Sequence, residues 1–122
     1  MPDARKLFGS MIREKRKAKG YTLRKFAGEV GISPTYLSQV EQGKVERPPT
    51  AERVQKMAEL LGESADQWIA IAGRMPTDVS EIIKNEPEAM PALLRAAKGL
   101  TADELRKLTR KLEKRQEKGG TE

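Results

Sequence analysis

Apolar residues recur every three or four positions along this chain, the spacing that places them on one face of a helix. No stretch shows the sustained alternation, rich in Val, Ile and Thr, that is typical of a half-buried strand. Gly and Pro interrupt the pattern about every ten to fifteen residues, as tight turns between short helices would. The pattern therefore predicts an all-α protein. The predicted helices cover residues 4–18, 22–30, 33–42, 50–61, 64–72, 77–85, 87–98 and 101–118.

The first five predicted helices each carry an apolar face, and four of them follow a hydroxyl residue. Ser and Thr are favoured N-caps, because their oxygen accepts a hydrogen bond from a backbone N–H that has no partner within the helix. These caps are Thr22, Ser33, Thr50 and Ser64. The residues expected to build the core are Leu7, Phe8, Met11, Ile12, Leu23, Phe26, Ala27, Val30, Leu37, Val40, Val54, Met57, Ala58, Leu61, Trp68, Ile69 and Ala72.

The stretch from residue 73 to residue 76 is a candidate boundary, because it contains Gly and Pro, which end helices. We assign residues 1–73 to one domain and residues 74–122 to a helical extension. Three short helices with so few apolar residues bury little surface alone, so the extension is expected to need a partner.

The last predicted helix is the best marked one in the chain. Thr101 and Glu104 form a capping box at its start. Leu105, Leu108 and Leu112 form its apolar face, either as the core of a small subdomain or as a dimer seam. No apolar residue follows Leu112, so we expect the helix to fray beyond it.

Composition excludes several kinds of chemistry. Of the 122 residues, 37% are apolar and 34% are charged, and there is no Cys and no His. A disulfide, the usual zinc and haem sites, and Cys or His catalysis are therefore impossible. The chain also lacks a Gly-rich phosphate-binding loop and a carboxylate cluster on an apolar face. We expect neither an enzyme nor a bound metal or cofactor.

The hydropathy pattern also bears on location. No apolar run approaches the roughly 18 residues that a membrane span requires. Residues 1–19 are charged from Asp3 onward and lack the apolar segment of a secretory signal. The expected location is the cytoplasm, with no membrane partner.

The positive charge is concentrated in the first part of the chain. The formal net charge is +6. Residues 1–47 contain 11 Lys+Arg and 5 Asp+Glu, whereas residues 48–122 contain 13 of each kind. Such asymmetry points to a polyanion, either nucleic acid or a membrane surface, as the partner of the first part. A solvated basic helix face is the alternative interpretation.

The stretch from Thr22 to Gly43 has the dimensions of a helix-turn-helix, because two short helices meet through a Gly-containing turn at residues 31–33. On a helical wheel, Leu37 and Val40 of the third helix point to one side. The residues on the opposite side are polar and uncharged: Thr35, Ser38, Gln39 and Gln42. Hydroxyls and carboxamides donate to and accept from base edges, so this face is a candidate for reading DNA. A Ser/Gln-rich solvated helix is the alternative.

Four cations flank that polar face. Arg24 and Lys25 lie in the first turn of the second helix, where the helix dipole disfavours cations by roughly a few tenths of a kcal/mol. Phosphate contact would explain this placement, since the free N–H groups of such a turn also bind anions. Lys44 and Arg47 follow the third helix in its loop. Any one of them could be an ordinary surface charge, but four around one uncharged face favour phosphate binding.

Two opposite charges stand on inward-pointing helix faces. Arg16 continues the line of Phe8 and Ile12 at i+4, and Glu41 follows Leu37 at i+4. An unpaired buried charge costs several kcal/mol, so the two side chains are expected to pair with each other.

The residues from Thr22 to Gly43 resemble the helix-turn-helix of the Cro/cI or XRE-type family of phage repressors and bacterial regulators. The most specific pieces are Gly31-Ile32-Ser33, Tyr36-Leu37-Ser38, the Glu41-x-Gly43 ending and the approach from Arg16 to Thr22. The resemblance covers about residues 7–73 and implies the five-helix lambda-repressor-like domain. It also implies a sequence-specific regulator of transcription that binds double-stranded DNA, a repressor acting as a homodimer on a near-palindromic operator.

The resemblance also implies roles for single residues. The third helix would enter the major groove. Base reading would fall to Ser33, Thr35, Tyr36, Ser38 and Gln39, and phosphate contact to Gln42, Lys44 and Arg47. Leu23 departs from the family, in which many members place a phosphate-binding Gln, so Arg24 or Lys25 would replace that contact. The family carries an Arg–Glu pair between its first and third helices, which implies a structural role for Arg16 and Glu41.

The extension leaves a second function open. Residues 77–122 resemble the helical extensions of some such regulators but carry no specific motif. We expect them to hold two copies together through Leu105, Leu108 and Leu112. The alternative is an antitoxin or another interaction protein whose extension binds a partner protein.

Overall fold

The computed structural model describes residues 3–119, and every regular element in that range is an α-helix. The prediction of an all-α fold is confirmed. The helices are α1 Ala4–Ala18, α2 Leu23–Val30, α3 Pro34–Glu41, α4 Ala51–Leu61, α5 Ala65–Ile71, α6 Thr77–Asn85, α7 Ala89–Ala97 and α8 Ala102–Gly119. Within residues 3–119, no helix combines the length and the apolar character that crossing a membrane would need.

Side-chain caps begin the first five helices. In each, the oxygen of the N-cap residue accepts a hydrogen bond from a backbone N–H two or three residues further on. The caps are Asp3, Thr22, Ser33, Thr50 and Ser64, with oxygen–nitrogen distances of 2.9, 3.1, 3.0, 3.4 and 3.2 Å. Four of these five residues are the hydroxyl caps that the sequence predicts, because a cap bond depends on a few neighbouring residues alone.

The first compact unit, Met1–Glu81, is built around an apolar core. The rings of Phe8 and Trp68 pack in a T-shaped arrangement, with their centroids 6.1 Å apart. The buried apolar residues are Phe8, Ile12, Phe26, Ala27, Val30, Leu37, Val40, Val54, Met57, Ala58, Leu61, Trp68, Ile69 and Ala72.

The expectation that Leu7 joins this core is wrong, since its side chain is 51% exposed. Met11 and Leu23 are half-buried at the edge of the core. Leu7 stays outside the core because the buried face of α1 is narrow. Phe8 and Ile12 face the core at i and i+4, whereas Leu7 lies about 100° from Phe8 around the helix.

Helix α1 approaches the carboxyl end of α3 closely at Gly9. A β-carbon on Gly9 would clash with the carbonyl oxygen of Val40 and would lie 2.5 Å from that of Glu41. Only a residue without a side chain therefore permits this approach. The contact places the end of α3 directly on α1.

The second compact unit, Ile82–Glu122, has no buried core in its described part. No side chain between residues 82 and 118 is buried. Helix α7 begins two residues later than predicted, and Pro91 is its third residue, where a missing N–H removes no intrahelical hydrogen bond. The apolar side chains of α7 and α8 stay partly exposed.

Helix α8 continues to Gly119, one residue beyond its predicted end, and fraying after Leu112 stays a prediction. Its start carries the predicted capping box: Thr101 Oγ1 accepts from the Glu104 N–H at 3.1 Å, and Glu104 Oε1 accepts from the Thr101 N–H at 3.0 Å. The residues after Leu112 are mostly Glu, Lys, Arg and Gln, which have high intrinsic helix propensity. Their helix propensity therefore accounts for the end of α8, where no apolar side chain is present to pack.

The sequence places the domain boundary after residue 73, whereas the compact units divide after Glu81. Two contacts tie the intervening residues to the first unit. Arg74 donates to the carbonyl oxygens of Pro48 and Pro49, and Thr77 Oγ1 donates to Glu52 Oε1 at 2.7 Å. The Gly73 turn ends a helix without ending the packed unit.

Candidate nucleic-acid interface

Helices α2 and α3 are joined by a tight three-residue turn. Gly31 adopts the left-handed conformation with a φ of 89°, which glycine takes without steric cost. The N–H groups of Gly31 and Ile32 both donate to the Ala27 carbonyl oxygen, at 2.9 and 3.0 Å. Ser33 then caps α3. Residues 23–41 thus form a helix-turn-helix.

Helix α3 has one buried side and one open side. Leu37 and Val40 are buried in the core. On the open side, Thr35 and Gln39 are exposed and carry no charge. Tyr36 is half-buried and packs against the core. The groups on this helix that are open to a ligand are therefore a hydroxyl and a carboxamide, which can form hydrogen bonds with base edges.

Two of the predicted base-reading hydroxyls already accept hydrogen bonds within the chain. Ser33 Oγ accepts from the Tyr36 N–H at 3.0 Å as the cap of α3. Ser38 is half-buried, and its Oγ accepts from Gln42 Nε2 at 2.9 Å. Each hydroxyl retains its own proton as a donor. Ser38 and Gln42, which the sequence assigned to base and phosphate separately, form one hydrogen-bonded pair.

The predicted phosphate-binding cations are exposed. Arg24 and Lys25 lie in the first turn of α2, which contains no acidic residue. Lys44 and Arg47 lie in the loop after α3, and the Lys44 N–H donates to the Gln39 carbonyl oxygen at 2.9 Å. Glu46 is the one carboxylate in that loop. The first turn of α2 and the loop after α3 are therefore mainly positive.

Two arginines that the sequence analysis did not select hold the loop after α3. Arg74 Nη2 donates to the Pro48 carbonyl oxygen at 2.6 Å, and its Nε donates to that of Pro49 at 3.1 Å. Arg5 Nη1 donates to the Val45 carbonyl oxygen at 3.4 Å. These bonds attach the backbone of the loop that carries Lys44 and Arg47 to residues of other segments. Because the partners are more than 20 residues apart in sequence, no local motif could have indicated them.

The structure brings together the inward-pointing charges of α1 and α3. Arg16 Nε donates to Glu41 Oε2 at 2.8 Å, and Arg16 Nη2 donates to Glu41 Oε1 at 3.0 Å. The remaining Arg16 nitrogen, Nη1, donates to the Tyr21 carbonyl oxygen at 2.9 Å. Both side chains are buried. The pair therefore connects α1 to the end of α3.

Comparisons with known proteins agree with this geometry. The chain matches the helix-turn-helix family over residues 12–68. It is 43% identical over 61 residues to YazB, an HTH-type transcriptional regulator of Bacillus subtilis, covering 50% of this chain and 86% of that protein. The match to SlrR of the same organism is 31% over 111 residues, covering 90% of this chain and 70% of SlrR.

The chain belongs to the helix-turn-helix family of transcriptional regulators. A crystal structure of ClgR, the clp gene regulator of Corynebacterium glutamicum, is similar at a TM-score of 0.50 and 27% identity. That match covers 81% of this chain and 98% of ClgR. The predicted family and the predicted function, DNA-binding regulation of transcription, are confirmed.

One further cation of this helix-turn-helix regulator was missed by the sequence analysis. Arg13 is exposed on α1 and lines the same surface depression as Leu23, Ser38 and Gln42. Its distance from α3 in sequence hides this proximity. The sequence did contain one indication of Arg13: it lies one turn before Arg16 on α1, and residues three apart lie on the same side of a helix.

The predicted dimer residues lie in the second unit of the regulator. Leu105, Leu108 and Leu112 are 41%, 37% and 47% exposed. They are therefore on the surface of α8, and they do not form a core within residues 82–118.

Proposed function

We propose that this regulator represses transcription by binding a near-palindromic operator as a homodimer. The observation that carries the proposal is the open face of α3, where Thr35 and Gln39 are exposed and uncharged, with exposed cations in the preceding helix and the following loop. Uncharged donors and acceptors suit base edges, whereas cations suit the phosphate backbone. Function by binding alone, without catalysis, is part of the proposal.

Base reading is assigned to the amino-terminal and central part of α3. The proposed residues are Ser33, Thr35, Tyr36, Ser38 and Gln39. Gln39 is the strongest of them, because its exposed carboxamide can make the paired hydrogen bonds that identify adenine. Ser38 contributes as a donor while its oxygen accepts from Gln42.

Phosphate contact is assigned to residues that surround α3. The proposed residues are Arg24, Lys25, Gln42, Lys44 and Arg47, and we add Arg13 because it lines the same surface depression as Gln42. Arg5 and Arg74 support this set indirectly through the backbone of the loop. The buried pair of Arg16 and Glu41 fixes the end of α3 and contacts no DNA.

Dimerisation is assigned to the extension, residues 74–122. Its apolar side chains have no buried core to join between residues 82 and 118, so a second copy is the proposed cover. The leucines exposed there are Leu93, Leu94, Leu100, Leu105, Leu108 and Leu112. When two helix-turn-helix domains are joined in a dimer, the second domain binds its half-site intramolecularly, which strengthens operator binding without any new base contact.

Selection of bound duplexes from a random pool tests the proposal. We expect an enriched site with two inverted halves, and a promoter that carries this site should lose activity when the protein is present. Binding should weaken with salt at a log–log slope of magnitude about 5 or more, since each neutralised phosphate contributes roughly −0.9. A pool without enrichment and a flat salt dependence would contradict it.

A partner protein on the extension is the alternative function, and the same exposed leucines favour it. Sedimentation of the purified chain distinguishes the homodimer from the interaction protein. A stable dimer supports the homodimer. A monomer that co-purifies with a second, smaller protein through the extension supports the interaction protein.

A further inference from the structure

Helix α8 carries a continuous basic face in addition to its apolar one. Lys107, Arg110, Lys111 and Lys114 follow the i, i+3, i+4, i+7 spacing, and together they line one shallow surface depression. These four residues are called the basic face. Leu105, Leu108 and Leu112 lie on another side of the helix by the same spacing rule. A partner on the leucines would therefore leave the basic face open.

The four residues of the basic face make no ion pair within 4 Å in the described part of the chain. All residues from 101 to 118 are exposed. The carboxylate of Asp103, one helical turn before Lys107, is paired with Arg106 at 2.8 Å. Four adjacent cations without a paired carboxylate repel one another, so an external anion would relieve that repulsion.

The overall charge balance conceals this second basic region. Residues 48–122 carry equal numbers of acidic and basic residues, but the two kinds are unevenly distributed. Residues 48–81 contain 3 Lys+Arg and 6 Asp+Glu, whereas residues 82–122 contain 10 and 7. The regulator is therefore basic at both ends and acidic in the middle.

We propose that the basic face of α8 binds the phosphate backbone of duplex DNA without reading its sequence. The four charges extend over roughly 10 Å of helix, and a duplex offers one phosphate charge per roughly 1.7 Å of its axis. The side chains are Lys and Arg only, with no carboxamide or hydroxyl among them, as suits phosphate contact more than base reading. The inference rests on the proposed function, which makes DNA the polyanion available to this chain.

A pair of charge-matched variants of the full chain tests the assignment. Lys107→Gln with Lys114→Gln removes two charges from the basic face. Arg106→Gln with Arg115→Gln removes two charges from α8 outside it. Gln keeps a high helix propensity, so circular dichroism should show α8 intact in both. The probe is a labelled duplex of random sequence, titrated at several salt concentrations.

We expect the first variant to bind the random duplex roughly ten-fold more weakly at about 0.1 M salt, with the log–log slope reduced in magnitude by about 0.9 to 1.8. The second variant should change the affinity less than about three-fold, since it affects only the general charge. Equal losses in the two variants, or an unchanged slope in the first, would overturn the inference.

Three further outcomes separate the causes of failure. If the unmodified chain bound no duplex DNA, the proposed function itself would fail. If the first variant lost binding to phosphatidylserine vesicles while keeping DNA binding, the face would belong to a membrane and the inference would be wrong. If the first variant alone changed oligomeric state in sedimentation, the face would belong to the contact between copies, and the inference would again be wrong.

Discussion

Arg16 and Glu41 form a buried two-point ion pair, with nitrogen–oxygen distances of 2.8 and 3.0 Å, between α1 and the end of α3. Arg16 also donates to the Tyr21 carbonyl oxygen at 2.9 Å, so all of its nitrogens have partners. Such a pair fixes the relative orientation of the two side chains as well as attracting them, because the planar guanidinium meets the carboxylate at two points. The orientation of α3 therefore depends on a side chain 25 residues away.

Removing one member of this pair should cost much of the stability. Glu41→Ala leaves the Arg16 charge buried without a partner, and we expect the free energy of unfolding to fall by about 3–5 kcal/mol. Urea unfolding of the full chain measures the loss. The partly exposed pair of Lys15 and Glu63 is the control, and Glu63→Ala should cost less than about 1 kcal/mol. If Glu41→Ala lowered the free energy of unfolding no more than Glu63→Ala does, the Arg16–Glu41 pair would be solvated in solution.

Gly9 should not tolerate even one methyl group. Gly9→Ala would force the new carbon against the carbonyl oxygens of Val40 and Glu41, and we expect a loss of about 1–3 kcal/mol in the free energy of unfolding. Gly28 is the matched control, since it lies in α2 and a β-carbon there would meet no other part of the chain within 4 Å. Gly28→Ala should stabilise the protein by up to about 1 kcal/mol. Stabilisation by both substitutions would disprove the close α1–α3 contact.

Gln39 should determine one base preference in each half-site. Gln39→Ala removes the exposed carboxamide, and we expect a loss of about 1–3 kcal/mol on the best operator, with relaxed preference at one position. Lys25→Ala should instead weaken binding to all duplexes about equally, as loss of a phosphate contact does. Fluorescence anisotropy on operators substituted at single positions distinguishes the two patterns. An even loss across all sequences for Gln39→Ala would make Gln39 a phosphate contact.

The extension should control the oligomeric state. A chain that ends at Glu81 keeps the whole first unit, including the Thr77–Glu52 hydrogen bond, and we expect it to fold as a monomer with sharply reduced operator affinity. Leu108→Glu in the full chain should have the same effect, because it places a charge on the apolar face of α8.

Sedimentation velocity measures the oligomeric state in both cases. Leu7→Glu is the control, since Leu7 is an exposed leucine of the first unit. It should leave the full chain dimeric. A dimer of the shortened chain, or dissociation by Leu7→Glu, would place the interface in the first unit.

The sequence alone was sufficient for features that depend on near neighbours. The caps Thr22, Ser33 and Thr50 and the box of Thr101 with Glu104 stand where predicted, because each bond spans about three residues. The inward direction of Arg16 and Glu41 likewise followed from their i+4 relation to apolar neighbours. Helical periodicity specifies which side of a helix a residue occupies, and it did so here.

Only the tertiary structure decided which sides meet and how closely. It exposed Leu7, placed Gly9 against the carbonyl oxygens of α3, and connected Arg74 to the loop after that helix. Periodicity describes one helix at a time, whereas the width of a buried face and the distance between two backbones depend on several helices packing at once. The sequence therefore determined the helices and the polar, uncharged face of α3, and packing determined how that face is held.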